Sequence, residues 1–208
     1  MKKLLARSNN LEADRRRLLD RLRSEIGKSR VMEAISRVQR EAFVPQNLHD
    51  LAYLDAPLPI GHGQTISQPT MVAIMTAALE PQPAEKILEI GTGSGYQAAI
   101  LAELAGHVVT VELIPALTNT ARGLLESMGY RGRISVKQAA DDVLGYPEEA
   151  PFDGIMVTAG GPRVPQELVD QLAPGGRMLI PVGSLEGQDL MLVTRTRGGF
   201  PSNKLGPC

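Results

Sequence analysis

The chain has 208 residues, enough for one domain with a real core, and its 43% hydrophobic and 22% charged residues are those of an ordinary globular protein. A formal net charge of −1, 3% aromatic residues and no Trp exclude a global basic field and a platform for stacking unpaired bases, so no nucleic-acid partner is expected. The single cysteine, Cys208, excludes a disulfide framework, a Cys-based zinc site and a mid-chain thiol nucleophile, and fits a reducing compartment.

No apolar run approaches the ~20 residues that span a bilayer. The start Met1-Lys2-Lys3-Leu4-Leu5 is cut off at Arg7 without a signal-peptide core, so a cytoplasmic chain with no membrane partner is expected. Leu11, Leu18, Leu19, Leu22 and Ile26 recur near helical spacing behind Asn9 and Glu12, a capping-box pairing. A second helix is predicted from about Ser29, with Val31, Ile35 and Val38 on one face. The arginines of this segment make it locally basic, either as an arm for an acidic partner or RNA or, more commonly, as a solvated helix face. Phe43-Val44-Pro45 ends the helical extension. Residues 46–70 carry Pro57, Pro59, Gly61, Gly63 and Pro69 without periodicity and predict a long loop, a class that tends to be functional. A helix follows over Thr70–Leu79.

Strand, turn and helix then alternate. Strands are predicted at Lys86–Ile90, His107–Glu112, Ile134–Gln138, Phe152–Thr158, Arg177–Val182 and Asp189–Thr196. Helices are predicted at Tyr96–Ala105, from Pro115 to a stop at Gly129, and over Val164–Leu172, where Pro174-Gly175-Gly176 breaks the pattern. Such alternation implies βαβ units, hence a doubly wound α/β fold with a mostly parallel sheet. The chain divides into an N-terminal helical extension (1–45), a loop and helix (46–80) and an α/β core (81–208), in one compact domain. Ligands of such sheets bind beyond the carboxyl ends of the strands.

Glu89-Ile90-Gly91-Thr92-Gly93-Ser94-Gly95 lies at such an end. Its glycines let the backbone turn sharply and approach a ligand, and the following helix offers free amides. A dinucleotide fingerprint needs a third glycine where Tyr96 stands. A pyrophosphate disfavours a carboxylate beside it, whereas an amino-acid ammonium welcomes Glu89 through a charge-assisted hydrogen bond. The pattern leans toward S-adenosyl-L-methionine, which has an amino-acid moiety and no phosphate. Glu112, at the end of the next strand, is placed to accept from ribose hydroxyls, or is a solvated strand-end carboxylate. Asp141 ends the third strand and is a candidate for the adenine amino group, with the register against Asp142 open. His49, His62 and His107 have no partner by spacing and read as structural or surface residues.

Gly63-Gln64-Thr65-Ile66-Ser67-Gln68-Pro69 and Leu88-Glu89-Ile90-Gly91-Thr92-Gly93-Ser94-Gly95-Tyr96 together closely resemble the protein-L-isoaspartate O-methyltransferase family. Further matches are Pro57–Gly61, Glu148–Asp153 and Pro174–Gly183, so the resemblance covers roughly residues 30 to 200. The Thr-Ile-Ser segment is specific to that family; the glycine turn is shared by many methyltransferases. The resemblance implies a Rossmann-like methyltransferase fold and methyl transfer from S-adenosyl-L-methionine to the free α-carboxylate of L-isoaspartyl residues in aged proteins. The ester then collapses to a succinimide that hydrolyses partly to aspartate. It places the active-site serine at Ser67. It places cofactor contacts at Ile66, Ser67, Gln68, Pro69, Glu89, Gly91, Gly93, Ser94, Gly95, Glu112 and Asp141. No metal is implied.

Three departures stand out. Ala140-Asp141-Asp142 replaces the family's Gly-Asp-Gly, and Gly160-Gly161-Pro162 follows the fourth strand where alanines are usual. The chain ends Gly199–Cys208 without the family's final aromatic-Val-Pro-Leu strand, so that strand is expected to be missing, leaving an unpaired edge and lower stability or activity. Three alternatives are open. A methyltransferase for RNA or a small molecule is supported only by the basic N-terminal helix and lacks an Asn-Pro-Pro-aromatic motif. An NAD-dependent oxidoreductase is opposed by Tyr96 and Glu89. A non-catalytic relative is kept open by the short C-terminus.

Overall fold

The computed structural model describes residues 11–27, 29–184 and 186–208, so the expected capping residue Asn9 lies outside the described part. Helix α1 (Leu11–Ile26) buries Leu18 and Leu22, four residues apart on one face. Helix α2 (Arg30–Arg37) starts where the sequence indicated: the Ser29 hydroxyl accepts from the Met32 amide at 3.3 Å. It buries Val31, Met32, Ala34 and Ile35. The basic residues here are largely paired, Arg17 with Asp14, Arg23 with Asp20, Arg21 with Asp55 and Arg37 with Glu103. Among the described residues these pairs fit the solvated, salt-bridged helix face.

Two 3-10 turns, Arg40–Phe43 and Gln46–Leu51, follow. The span expected to be a featureless loop contains a small antiparallel hairpin, β1 (Leu58–Gly61) with β2 (Gln64–Ile66), turned by His62 and Gly63 at φ 54° and 72°. Its strands are too short to show alternation, and Pro59 sits on an edge where its missing N–H costs nothing. Helix α3 (Pro69–Leu79) takes Pro69 at its first turn and stops at Glu80 in the left-handed region, φ 51°.

The core is a seven-stranded sheet. Strands β3 (Lys86–Ile90), β4 (His107–Glu112), β5 (Ile134–Gln138), β6 (Phe152–Val157), β7 (Leu172–Ser184), β8 (Gly187–Thr194) and β9 (Ser202–Pro207) lie in the order β5-β4-β3-β6-β7-β8-β9. The pairs β3·β4, β3·β6, β4·β5 and β6·β7 are parallel, and β7·β8 and β8·β9 are antiparallel. Helices α4 (Tyr96–Ala102), α5 (Pro115–Ser127) and the one-turn α6 (Gln166–Val169) complete the crossovers. Both faces are covered. Ile87 and Val108 join the core under α1–α4, while their neighbours Leu88 and Val109 join the opposite core with Phe152 and Leu168, as strand alternation requires.

Two expectations are corrected. The helix over 164–172 shrinks to one turn. Strand β7 instead runs back through Pro174-Gly175-Gly176, where Gly175 N donates to Arg195 O and Arg195 N to Gly176 O. The segment is a bulge in a strand, not a break, with the register shifting between Phe152 and Gly154. The final strand is present: Ser202–Pro207 forms β9 along β8, with Leu192 opposite Asn203 and Lys204 bonded to Asp189 at 2.8 Å. The premise that β8 is left bare therefore fails. His107, read as structural or surface, finds a structural partner that spacing did not show, with Nε2 3.1 Å from the Ser135 hydroxyl. Among the described residues no helix is long and apolar enough to cross a membrane.

Candidate active site

The winding reverses between β3 and β6, because β4 lies on one side of β3 and β6 on the other. The crevice at the carboxyl ends of these strands is the place for a ligand. The glycine turn occupies it. Gly91 and Thr92 donate to the Val111 carbonyl at 2.9 and 3.2 Å, which ties the turn to β4. From the end of β6, the Thr158 hydroxyl is 2.8 Å from Ile90 O and 2.9 Å from Gly91 O. Gly91 has φ 95°, and a Cβ there would lie 2.5 Å from that hydroxyl oxygen, so only glycine permits this closure.

Glu112 closes the turn from the other side. Its Oε2 accepts from Gly93 N at 2.8 Å and its Oε1 from Ile114 N at 2.9 Å. Each oxygen keeps a second lone pair. The sequence left Glu112 as a ribose partner or a solvated strand-end carboxylate; it is buried, and it is the clasp of the glycine turn.

Glu89 is completely buried. Its Oε2 accepts from the Thr110 hydroxyl at 2.5 Å, and Thr110 is 2.7 Å from the Thr92 hydroxyl. Among the described residues its Oε1 has no hydrogen-bond partner. Burial pushes the carboxyl up to about 8, against the Thr110 hydrogen bond and with help from the Glu112 charge. An acceptor with no donor, in a wall otherwise satisfied, calls for a donor from outside the chain.

These groups face one cavity of about 560 Å³. Ile66 and Ser67, at the end of the hairpin, form one wall; Glu89 and the glycine turn form another. Leu113, Val143 and Leu144 contribute an exposed apolar rim, 57%, 41% and 41% accessible. Of the residues singled out in the sequence, Ile66, Ser67, Glu89, Gly91, Gly93, Ser94, Glu112 and Asp141 line this cavity. The other three stand just behind it. Gln68 precedes α3, Pro69 is buried in its first turn, and Gly95 precedes α4 at φ 88° with Leu125 3.1 Å from where a Cβ would be. Asp142 also lines the cavity, so both members of that pair reach it.

Sequence reasoning passed over Thr110, Thr158, Arg40 and Asp55. Thr110 was legible, since it stands two residues before Glu112 on one strand and shares its face. Thr158 ends a strand beside the turn, which is also a usable signal. Arg40 sits in a run of arginines, and nothing in the sequence separates it from the exposed ones.

The comparisons agree with this geometry. The family model described as protein-L-isoaspartate(D-aspartate) O-methyltransferase matches residues 13–206. A protein-L-isoaspartate O-methyltransferase of Methanopyrus kandleri is 53% identical over 190 residues, covering 89% of this chain and 84% of its own. One from Hyperthermus butylicus is 49% identical over 207 residues, covering 93% and 86%. In fold, a Plasmodium falciparum chain of the same description, solved in complex with S-adenosyl-L-homocysteine, superposes with a TM-score of 0.80 at 23% identity over 97% of this chain and 96% of that one. With its family-specific Thr-Ile-Ser segment and its glycine turn walling one crevice, and with a match running almost end to end, the chain belongs to the protein-L-isoaspartate(D-aspartate) O-methyltransferase family.

Proposed function

We propose that the chain transfers a methyl group from S-adenosyl-L-methionine to the free α-carboxylate of L-isoaspartyl residues in damaged proteins and peptides, in the cytoplasm. One observation carries the reading: the Ser67 segment and the glycine turn with Glu89 wall the same cavity. The cavity fits the cofactor. Glu89 Oε1 is a buried acceptor without a donor, and an amino-acid ammonium can supply one. Glu112 has lone pairs left for hydroxyl donors, and Leu113, Val143 and Leu144 offer apolar surface for a flat base. Gly91, Gly93, Ser94, Gly95, Asp141 and the 66–69 segment complete the binding set. The boundaries 1–45, 46–80 and 81–208 then correspond to the extension, the segment that meets the substrate and the cofactor-binding core.

When bound, the cofactor supplies an electrophilic methyl group on a sulfonium sulfur. The acceptor carboxylate, with a pKa of about 3.5, is already ionised at neutral pH. The chain therefore needs no general base, and its work is to bind, to orient and to exclude water. Ser67 positions the carboxylate through its hydroxyl and is not a covalent nucleophile. RNA as acceptor has weaker support, because among the described residues Arg17, Arg21, Arg23 and Arg37 of the basic segment are ion-paired within the chain.

The test uses labelled S-adenosyl-L-methionine and two peptides that differ only in L-isoaspartyl versus L-aspartyl at one position. Base-labile label is expected on the isoaspartyl peptide alone. Label on both peptides, or on neither while the cofactor still binds, rejects the acceptor.

A further inference from the structure

Arg40 is completely buried, the largest such side chain among the described residues. Removing a guanidinium from water is costly, and an apolar side chain would fill the same space without that penalty. Among the described residues it forms no ion pair. Nε donates to the Ala52 carbonyl at 2.9 Å, and Nη2 donates to the Ser67 carbonyl at 2.8 Å. Its guanidinium carbon lies 5.0 Å from the centre of the Tyr96 ring, which Phe43 braces edge-on at 5.4 Å. Tyr96 is the first residue of α4, directly after the glycine turn. The buried cation thus sits between the segment carrying Ser67 and the helix that opens from the glycine turn, behind two walls of the same cavity.

A second side chain grips the same segment three residues on. Asp55 Oδ1 accepts from the Thr70 amide at 2.9 Å and Oδ2 from the Thr70 hydroxyl at 2.7 Å. Arg21 on α1 reaches Oδ2 at 3.4 Å. These bonds hold the Thr70 amide, a free donor of the first turn of α3. Both grips come from residues 40–55, outside the α/β core, and both act on the backbone on either side of Gln68-Pro69.

We propose that Arg40 and Asp55 are positioning residues for methyl transfer: they fix the 67–70 backbone against the cavity at two points, the Ser67 carbonyl and the Thr70 amide and hydroxyl. Neither lines the cavity, so they act through the segment they hold. This rests on the reading that the Ser67 segment faces the reacting atoms. It gives the N-terminal extension a part in catalysis: it supplies Arg40 directly and braces Asp55, in the following loop, through Arg21. Transfer of a methyl group depends on alignment, and a displacement of about 1 Å costs on the order of a hundredfold in rate.

The test compares Arg40→Lys, which keeps the charge but not the two-carbonyl fork, with Asp55→Ala and with Leu22→Ala as a control. Leu22 is buried in α1 and forms none of the clamp bonds, so its truncation loosens the extension while leaving the bonds to Ser67 and Thr70 in place. The readouts are kcat and KM for an isoaspartyl peptide, the Kd of S-adenosyl-L-homocysteine, and Tm. Arg40→Lys and Asp55→Ala are expected to lower kcat by roughly ten- to a hundredfold while the cofactor-product Kd moves less than about threefold. Leu22→Ala is expected to lower Tm as far with kcat within about twofold for the folded protein. If both clamp variants keep kcat, or if Leu22→Ala loses as much, the proposal is wrong. Should Arg40→Lys not fold, Asp55→Ala decides alone. Ser67→Ala, measured alongside, tests the underlying reading separately: if it retains full turnover, the serine has no role, whereas the clamps stand or fall on their own rates.

Discussion

Replacing Glu89 by Gln tests the site most directly, because it removes one charge and almost no volume. Gln keeps an acceptor for the Thr110 hydroxyl, now 2.5 Å from Oε2, so the strand is undisturbed. What changes is the unpartnered Oε1, which becomes unable to present a negative charge to an ammonium. A charge-assisted hydrogen bond contributes about 1.5–3 kcal/mol, so the variant should bind S-adenosyl-L-methionine roughly 10- to 150-fold more weakly. The pH dependence is the sharper signature. With the carboxyl pushed up to about 8 in the free protein, binding below that pH must first remove its proton. Affinity then weakens about tenfold for each unit below the pKa. The same shift sets the sign for stability. The folded pKa lies above the unfolded one, so between about pH 4.5 and 8 the folded state holds more protons and the free protein loses stability as pH rises. Glu89→Gln should flatten both slopes. Calorimetric titration at pH 6, 7 and 8, in two buffers of different ionisation heat, measures affinity and proton release together. The ligand's own titration is common to both proteins and cancels in their difference. Equal affinities and equal pH slopes for wild type and variant would refute the assignment of Glu89 to the ammonium.

Other perturbations follow from particular contacts. Gly91→Ala forces a Cβ to within 2.5 Å of the Thr158 hydroxyl at φ 95°, and should cost about 1–3 kcal/mol with a lower Tm and weaker cofactor binding; an unchanged melting curve would contradict the tight closure. Arg177 donates to Leu79 O, to Glu80 O at 2.7 Å and to both oxygens of Glu85 at 2.8 Å, tying the end of α3 to the sheet. Arg177→Met should therefore cost about 2–3 kcal/mol, less than a fully buried pair because both side chains keep some exposure, visible as a fall of roughly 5–10 °C in Tm, and a loss below about 0.5 kcal/mol would show the bridge to be idle. Deleting residues 202–208 strips β9 from β8 but removes no cavity-lining residue. Tm should fall by a few degrees and concentration-dependent aggregation should appear, with kcat retained; a collapse of kcat would place the tail at the site after all.

Much of the architecture is written locally. Strands β3 and β4 lie where the apolar runs at Lys86–Ile90 and His107–Glu112 put them, because a central parallel strand must be apolar on both faces, and the edge strand β5 lies at Ile134–Gln138, as its alternation indicated. The start of α5 at Pro115, the start of α2 near Ser29 and the glycine turn were legible because each depends on one or a few local residues. The family-specific Thr-Ile-Ser segment and the acid before the glycine turn announced the chemistry without any coordinates.

What the sequence could not announce are the elements and roles that exist only through distant partners. β9 contains Gly206 and Pro207 and little β propensity, and it is a strand because β8 offers it a ladder. The bulge at Pro174-Gly175-Gly176 looks like a helix stop until Arg195 pairs across it. The unmet demand of Glu89 Oε1 depends on three-dimensional burial, since a carboxylate in the same local sequence would titrate normally in water. Arg40 is one arginine among many along the chain, and only folding takes it out of water and sets it between Ser67 and Tyr96. Local sequence thus determined the backbone menu and the ligand class. Tertiary structure decided which polar groups are buried, and burial is what turns an ordinary charge into one with a specific task.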